Sequence, residues 1–253
     1  MTLFAGPNGS GKSTIVNRIR QNEEYPYASG TLYLNADELE QHLRANSYCD
    51  LRAYDLHRLP PTEWNGFVQQ SSMTAKVCEG KQIAVEALLD YVKLVHGALV
   101  VRGTELEPDS YLAALITEFI REALIRTHHE FAFETVMSHP SKLEMMQRAK
   151  EAGFRVCLYF VTTRDPDINV ARVRNRVALG GHPVNEGKIR SRYTKGLANL
   201  ADALRLADEA YLFDNSTDGR ESIEVARKEG PKLTVVADAV PVWYIEYVET
   251  KFS

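Results

Sequence analysis

The sequence predicts an α/β fold, a parallel sheet flanked by helices with a helical insertion, and three features carry that expectation. Short apolar runs alternate with helical patterns in two stretches of the chain. The runs are continuously apolar, which suits strands buried on both faces. A glycine-rich turn joins the first run to the first helix, the arrangement of a P-loop type sheet.

Thr2-Leu3-Phe4-Ala5 is the first apolar run, followed by the glycine turn and a helix from Lys12 to about Arg20. Leu32-Tyr33-Leu34 and a helical pattern from Ala36 to Arg44 complete a βαβα opening, which implies parallel strands. Residues 46–126 break the rhythm, with a Tyr/Leu/Pro-rich stretch around Leu59-Pro60-Pro61 and helical patterns from Thr74 to Val95 and Ser110 to Arg126. They read as a helical insertion within one domain spanning residues 1–253. The alternation resumes with Glu130-Phe131-Ala132-Phe133, a helix from about Ser141 to Ala152, and the run Val156 to Val161. Two further helices within residues 164–206 and the run Ala210-Tyr211-Leu212-Phe213 follow. Lys232 to Val236 and Val242 to Val248 have β-type composition.

With 253 residues, 44% hydrophobic and 25% charged, the chain has ample core and falls outside the collagen-like, disordered and disulfide-stapled classes. Its net charge of -4 gives no general reason to expect nucleic acid or a membrane surface as partner. Any anion site must therefore be local. Cys49, Cys78 and Cys157 are odd in number and far apart, which favours reduced thiols. No apolar run approaches the roughly 20 residues that cross a bilayer, and the N-terminus enters a glycine loop where a signal peptide would be apolar. The expected location is cytoplasmic.

Gly6-Pro7-Asn8-Gly9-Ser10-Gly11-Lys12-Ser13 matches GxxxxGK[ST] in full, with Thr14 continuing into the helix. Glycines let successive N–H groups turn inward around phosphate oxygens, and the helix adds its partial positive end. Lys12 then suits the β- and γ-phosphates of ATP, and the Ser13 hydroxyl suits Mg2+. Asp37 follows the second strand, at the sheet edge where open α/β proteins place ligands. Two roles fit it: a general base toward an acceptor hydroxyl, or a helix N-cap or first-turn acid. Glu134 and Thr135 end the strand after Phe133 and read as acceptor contacts, Glu134 having the alternative of supporting magnesium waters. Ser138 and His139 read more simply as loop or cap residues.

Residues 164–195 hold eight Lys/Arg against three Asp/Glu, an excess that bound phosphate would explain. Arg172 and Arg176 share a helix face. Gly180-Gly181-His182-Pro183 reads as a hinge, after which Ile189, Tyr193, Leu197, Leu200 and Leu204 form one apolar stripe, flanked by Arg190 and Arg192. Arginines here suit a lid over transferring phosphoryl oxygens, and solvated surface is their plainer role. Asp214-Asn215-Ser216 ends the last apolar run and suits adenine contact or a simple turn.

Taken together, the glycine loop, Asn35-Ala36-Asp37-Glu38, Phe133 to Ser138, Arg172-Val173 with Arg176-Val177, Gly180 to Val184, Arg192-Tyr193 and Asp214-Asn215-Ser216 resemble the zeta toxin-like kinases, in family order. The resemblance covers residues 1–45 and 128–216. It implies an ATP- and Mg2+-dependent small-molecule kinase acting on a nucleotide-sugar-like acceptor such as UDP-N-acetylglucosamine, with an antitoxin protein as a further partner. Asp37 would be the general base, Lys12 with Arg172 and Arg176 would hold the γ-phosphate, Arg192 and Asn215 would contact the nucleotide, and Glu134 would bind the acceptor. Two other readings stand beside it: a metabolic sugar or nucleoside kinase with no toxin role, and an ATP-binding regulatory module with slow hydrolysis.

Overall fold

The computed structural model describes residues 1–22, 24–25, 27, 30–103, 107–181 and 183–252. The elements run β1 (Thr2–Ala5), α1 (Lys12–Gln21), β2 (Leu32–Leu34), α2 (Ala36–Asn46) and β3 (Tyr48–Asp50). Then come α3 (Pro61–Gln70), α4 (Ser72–Lys81), α5 (Val85–Tyr91), β4 (Val92–Val95), β5 (Ala98–Val101) and α6 (Ser110–Arg126). Next come β6 (Phe131–Thr135), α7 (Ser141–Glu151), β7 (Cys157–Thr162), α8 (Pro166–Ala178), α9 (Glu186–Ala198), α10 (Leu200–Leu206), β8 (Glu209–Asp214), β9 (Ile223–Glu229) and β10 (Lys232–Val235), ahead of helical turns from Val242 to Phe252. The chain divides into two compact units, one of residues 1–31 and 132–253, the other of residues 32–131.

The first unit is the α/β body that the alternating pattern predicts. Its sheet runs β10-β9-β8-β7-β1-β6. β1 lies between β6 and β7 and is parallel to both, with Ala5 level with Thr135 on one side and Phe160 on the other. β8 continues the parallel set beside β7, and β9 and β10 turn back antiparallel. The central strands are buried along nearly their whole length, as their unbroken apolar runs require. On one face, Phe4, Tyr159 and Tyr211 sit level across β1, β7 and β8. Their rings stack at 5.0 Å with interplanar angles of 15° and 12°. Such pairs add about 0.5–1.5 kcal/mol each beyond their burial.

One helical and one strand expectation are modified in this unit. The apolar stripe Ile189, Tyr193, Leu197, Leu200 and Leu204 is buried throughout, but it spans two helices, because Asn199 ends α9 and spends its side-chain amide on the Met137 carbonyl, 2.9 Å away. The segment Val242 to Val248, β-like in composition, is helical. It starts after Pro241, buries Trp243, Tyr244 and Val248, and fixes Trp243 by a 2.7 Å bond from its indole N–H to Asp214 Oδ2. Burial on one helical face overrides the strand preference of its Val and Ile residues.

The second unit holds β2, α2 and the stretch read as an insertion. Beyond the expected helices it contains a three-stranded antiparallel sheet, β3-β5-β4. The pattern Thr74 to Val95 resolves into α4, α5 and strand β4. The long helix α6 is its apolar centre, and Phe119 meets the Trp64 ring edge-on at 5.3 Å. Trp64 is fully buried, and its indole N–H is satisfied by the Val92 carbonyl at 2.9 Å.

Candidate functional site

The glycine loop leaves β1 at the carboxyl end of the parallel strands and enters α1 at Lys12. No acid occupies the first turn of α1, so the helix N-terminus keeps its partial positive charge for an anion. The loop is gripped on three sides, and its glycines are what allow the approach. Gly11 has φ +92°, and a Cβ there would lie 2.1 Å from Asn215 Nδ2. Gly9 has φ +77°, and a Cβ would lie 2.5 Å from the Asn169 carbonyl oxygen. Gly6 faces the Val161 carbonyl in the same way.

Hydrogen bonds fix what the close packing shapes. Asn215 donates its side-chain amide to the Ser10 carbonyl at 2.8 Å. The Asn169 amide donates to the Asn8 carbonyl at 2.8 Å and accepts from the Thr163 hydroxyl. Asn169 and Thr163 are both fully buried, so these groups have no water to fall back on. Arg192 reaches from α9 to the Asn8 side chain, Nη1 to Oδ1 at 3.0 Å. Tyr193, its neighbour, donates its hydroxyl to the Thr163 carbonyl at 2.7 Å, and burial holds that phenol in its neutral form. The Gly6 N–H donates to the Thr135 carbonyl at 3.2 Å, and Ser10 N–H closes a turn onto Pro7 at 3.2 Å.

Lys12 donates its ammonium to the Gly6 and Pro7 carbonyls at 2.8 and 3.1 Å, which keeps the charge at the loop. Ser13 and Thr14 are exposed on the first turn of α1. The Ser13 hydroxyl donates to Glu134 Oε1 at 3.3 Å. Glu134 is level with Phe4 on the neighbouring strand, so the run Phe131-Ala132-Phe133 delivers a single carboxylate beside the loop. Two hard oxygen donors are thus adjacent, a set that fits Mg2+. Thr135 is buried, and its hydroxyl accepts from the Met137 N–H at 3.2 Å.

The structure therefore brings Gly6 to Thr14, Glu134, Thr135, Arg192 and Asn215 together at one end of the first unit. Arg172 comes close by a different route: Nη1 donates to the Asn215 carbonyl at 2.7 Å, and Nε and Nη2 bind Asp218 at 2.9 and 2.5 Å. Arg176 is exposed on the last turn of α8, its side chain lying against Gly181. His182 of the hinge motif lies outside the described residues. Asp37 belongs to the second unit, in the exposed first turn of α2. Asn35 caps that helix, accepting from the Asp37 and Glu38 N–H groups at 2.9 and 3.4 Å, so the Asp37 carboxylate is not used as the cap. His139 serves the start of α7, accepting from the Ser141 N–H at 3.2 Å.

No family model matches the chain. It is 38% identical over 69 residues to an uncharacterised protein of Haemophilus influenzae, a match covering 27% of this chain and 49% of that protein. Solved structures similar to it include the native AvrRxo1-ORF1:ORF2 complex, at 14% identity and a TM-score of 0.49, and the same complex with ATP, at 17% and 0.46. Each match covers 100% of this chain and 63% of the other. A structure of the PezAT chromosomal toxin-antitoxin system of Streptococcus pneumoniae matches at 11% identity with a TM-score of 0.44, over 88% of this chain and 70% of the other. The chain thus spans about half of the Haemophilus protein and less than two thirds of the AvrRxo1 chain.

Sequence reading missed Asn169 and Thr163. One signal for Asn169 was present: an amide residue between Ile168 and Val170 in a helical pattern is unfavourable unless its side chain has a dedicated partner. Thr163 has a local bond from its hydroxyl to the Asp165 carbonyl at 3.0 Å, but its other partners, Asn169 and Tyr193, come from α8 and α9.

Proposed function

We propose that this chain is an ATP-dependent phosphotransferase that moves the γ-phosphoryl group to a hydroxyl of a small, nucleotide-like metabolite. The observation that carries the reading is the Ser13–Glu134 pair at the mouth of a complete glycine loop, because it joins an anion cradle to oxygen donors suited to a hard cation. In this reading the N–H groups of Gly9 and of residues 11–14 would surround the phosphates. Lys12 exchanges the Gly6 and Pro7 carbonyls for β- and γ-phosphate oxygens. Ser13 and Glu134 would hold Mg2+, directly or through its waters, and the ion would supply charge neutralisation on the phosphates.

Arg192 is the lid arginine best supported for contact with the transferring group, since its guanidinium already touches Asn8. Arg172, bound to the Asn215 carbonyl, suits the nucleoside end, and Arg176, exposed on the last turn of α8, is the remaining lid candidate. Asp37 acts as general base: its carboxylate takes the proton of the acceptor hydroxyl as the oxygen attacks the γ-phosphorus and ADP leaves. The insertion, residues 46–126, would supply acceptor contacts.

The motif resemblance makes a nucleotide sugar of the UDP-N-acetylglucosamine type the first acceptor to test and an antitoxin the first protein partner. Among the described residues no helix is long and apolar enough to cross a membrane. A cytoplasmic location is part of the proposal. The deciding experiment is acceptor-dependent ADP release across a metabolite pool, with the product identified by mass. Release with an ordinary sugar or nucleoside alone would favour a metabolic kinase, and slow release independent of any acceptor would favour a regulatory module.

A further inference from the structure

A cavity of about 460 Å³ lies at the opposite end of the first unit's parallel strands from the glycine loop. Its walls include Lys150 at the end of α7, Arg205 at the end of α10, Asp208 just before β8, Lys228 near the end of β9, and Phe252. Three cations face one carboxylate, in a chain whose overall charge is negative.

The donors and acceptors are unequally spent. Lys150 binds Asp208 Oδ1 at 2.5 Å, and Asp208 Oδ2 accepts the Val156 N–H at 2.8 Å, so the single carboxylate is already used. Arg205 binds Asp202 at 2.7 Å and the Lys251 carbonyl, with its guanidinium 6.0 Å from the Phe252 ring. Lys228 is only 5% exposed, and among the described residues its ammonium donates to one acceptor, the Ala207 carbonyl. An ammonium has three donors, and a buried cation short of acceptors is costly. Burial accordingly lowers the Lys228 pKa.

We propose that this cavity binds a phosphate-type oxyanion, free or as a small monoester, with Lys228 as its inner ligand and Arg205 and Lys150 at its rim. A tetrahedral anion offers acceptors in several directions at once, which matches cations contributed by α7, α10 and β9. The site is independent of the kinase reading.

The test is equilibrium dialysis of the full chain carrying Lys12→Ala, which weakens the glycine loop as a competing anion site, with radiolabelled inorganic phosphate at low ionic strength. One saturable equivalent is expected. Loss of a charge-assisted hydrogen bond makes Lys228→Met weaken it by about tenfold or more, and Arg205→Gln by about threefold. Displacement by glycerol phosphate identifies a monoester site, and its failure to displace identifies a free phosphate site. Absence of saturable uptake, or uptake unchanged in both variants, overturns the proposal. If Lys228→Met loses its folded circular dichroism signal, the half-exposed rim residue decides the matter: unchanged affinity in Arg205→Gln overturns it.

Discussion

The side-chain amide of Asn169 donates to the Asn8 carbonyl across 2.8 Å, so the first of the two Arg-bearing helices is tied to the backbone of the glycine loop. The bond is fully buried at the Asn169 end. Asn169→Ala would leave the Thr163 hydroxyl without its Asn169 acceptor and withdraw the amide donor from the Asn8 carbonyl, a loss of about 1–3 kcal/mol. The expected result is a lower midpoint in urea unfolding with an unchanged slope, together with weaker nucleotide binding by calorimetry. A midpoint equal to that of the parent chain would show that the amide does not hold the loop.

Gly11 faces two separate demands, a positive φ and the nearby Asn215 amide. Gly11→Ala should reduce ATP affinity by at least about tenfold, since strained backbone costs of order 1–3 kcal/mol before the clash is counted. Adding Asn215→Ala removes the clash but leaves the strain, so the double variant should recover only part of the loss. Full recovery would assign the whole effect to Asn215.

Glu134→Gln keeps the size of the side chain and removes its charge beside Ser13. Metal-supporting carboxylates are worth about 10–100-fold in metal affinity or activity. The magnesium concentration for half-maximal phosphoryl transfer should rise in that range, while binding of metal-free ATP changes little. An unaltered magnesium dependence would return Glu134 to the role of acceptor contact.

Asp37→Ala should retain ATP binding and lose acceptor phosphorylation by about two to four orders of magnitude, the usual range for general-base loss. Paired binding and single-turnover assays separate the two effects. Transfer at the parent rate would remove Asp37 from the mechanism.

The three thiols differ in accessibility. Burial pushes Cys49 and Cys157 up to about 12, whereas Cys78 is only partly buried and its rise is smaller. A thiol reagent at pH 8 should therefore label Cys78 first in the folded chain, and all three after denaturation. Peptide mapping of the native product reads this directly.

Acid stability should carry the mark of Asp208. Burial pushes its carboxyl up, but hydrogen bonds from the Lys150 ammonium and the Val156 N–H outweigh this and hold it below the usual range. The unfolded state then binds the proton more tightly. The stabilisation is complete above the unfolded value of about 3.9 and is lost as pH falls through the lower folded value. Asp208→Asn should flatten that part of the stability profile in a pH series of urea unfolding curves.

Sequence alone determined the strand, glycine loop and helix at residues 2–21, because each of those steps is local: apolar run, positive-φ residues, amphipathic turn. It also located Glu134 at a strand end and the buried stripe from Ile189 to Leu204, since both follow from periodicity. Tertiary structure alone decided which arginine meets the loop, because Arg172, Arg176 and Arg192 have similar sequence surroundings and differ only in what their helices pack against. It decided the role of Asn169, whose amide reaches Asn8 across 161 positions of chain, and that of Thr163, whose carbonyl is reached by Tyr193 from 30 positions away. It also made Val242 to Val248 helical, because the burial of Trp243 against Asp214 outweighs a residue preference that sequence can register and burial can reverse.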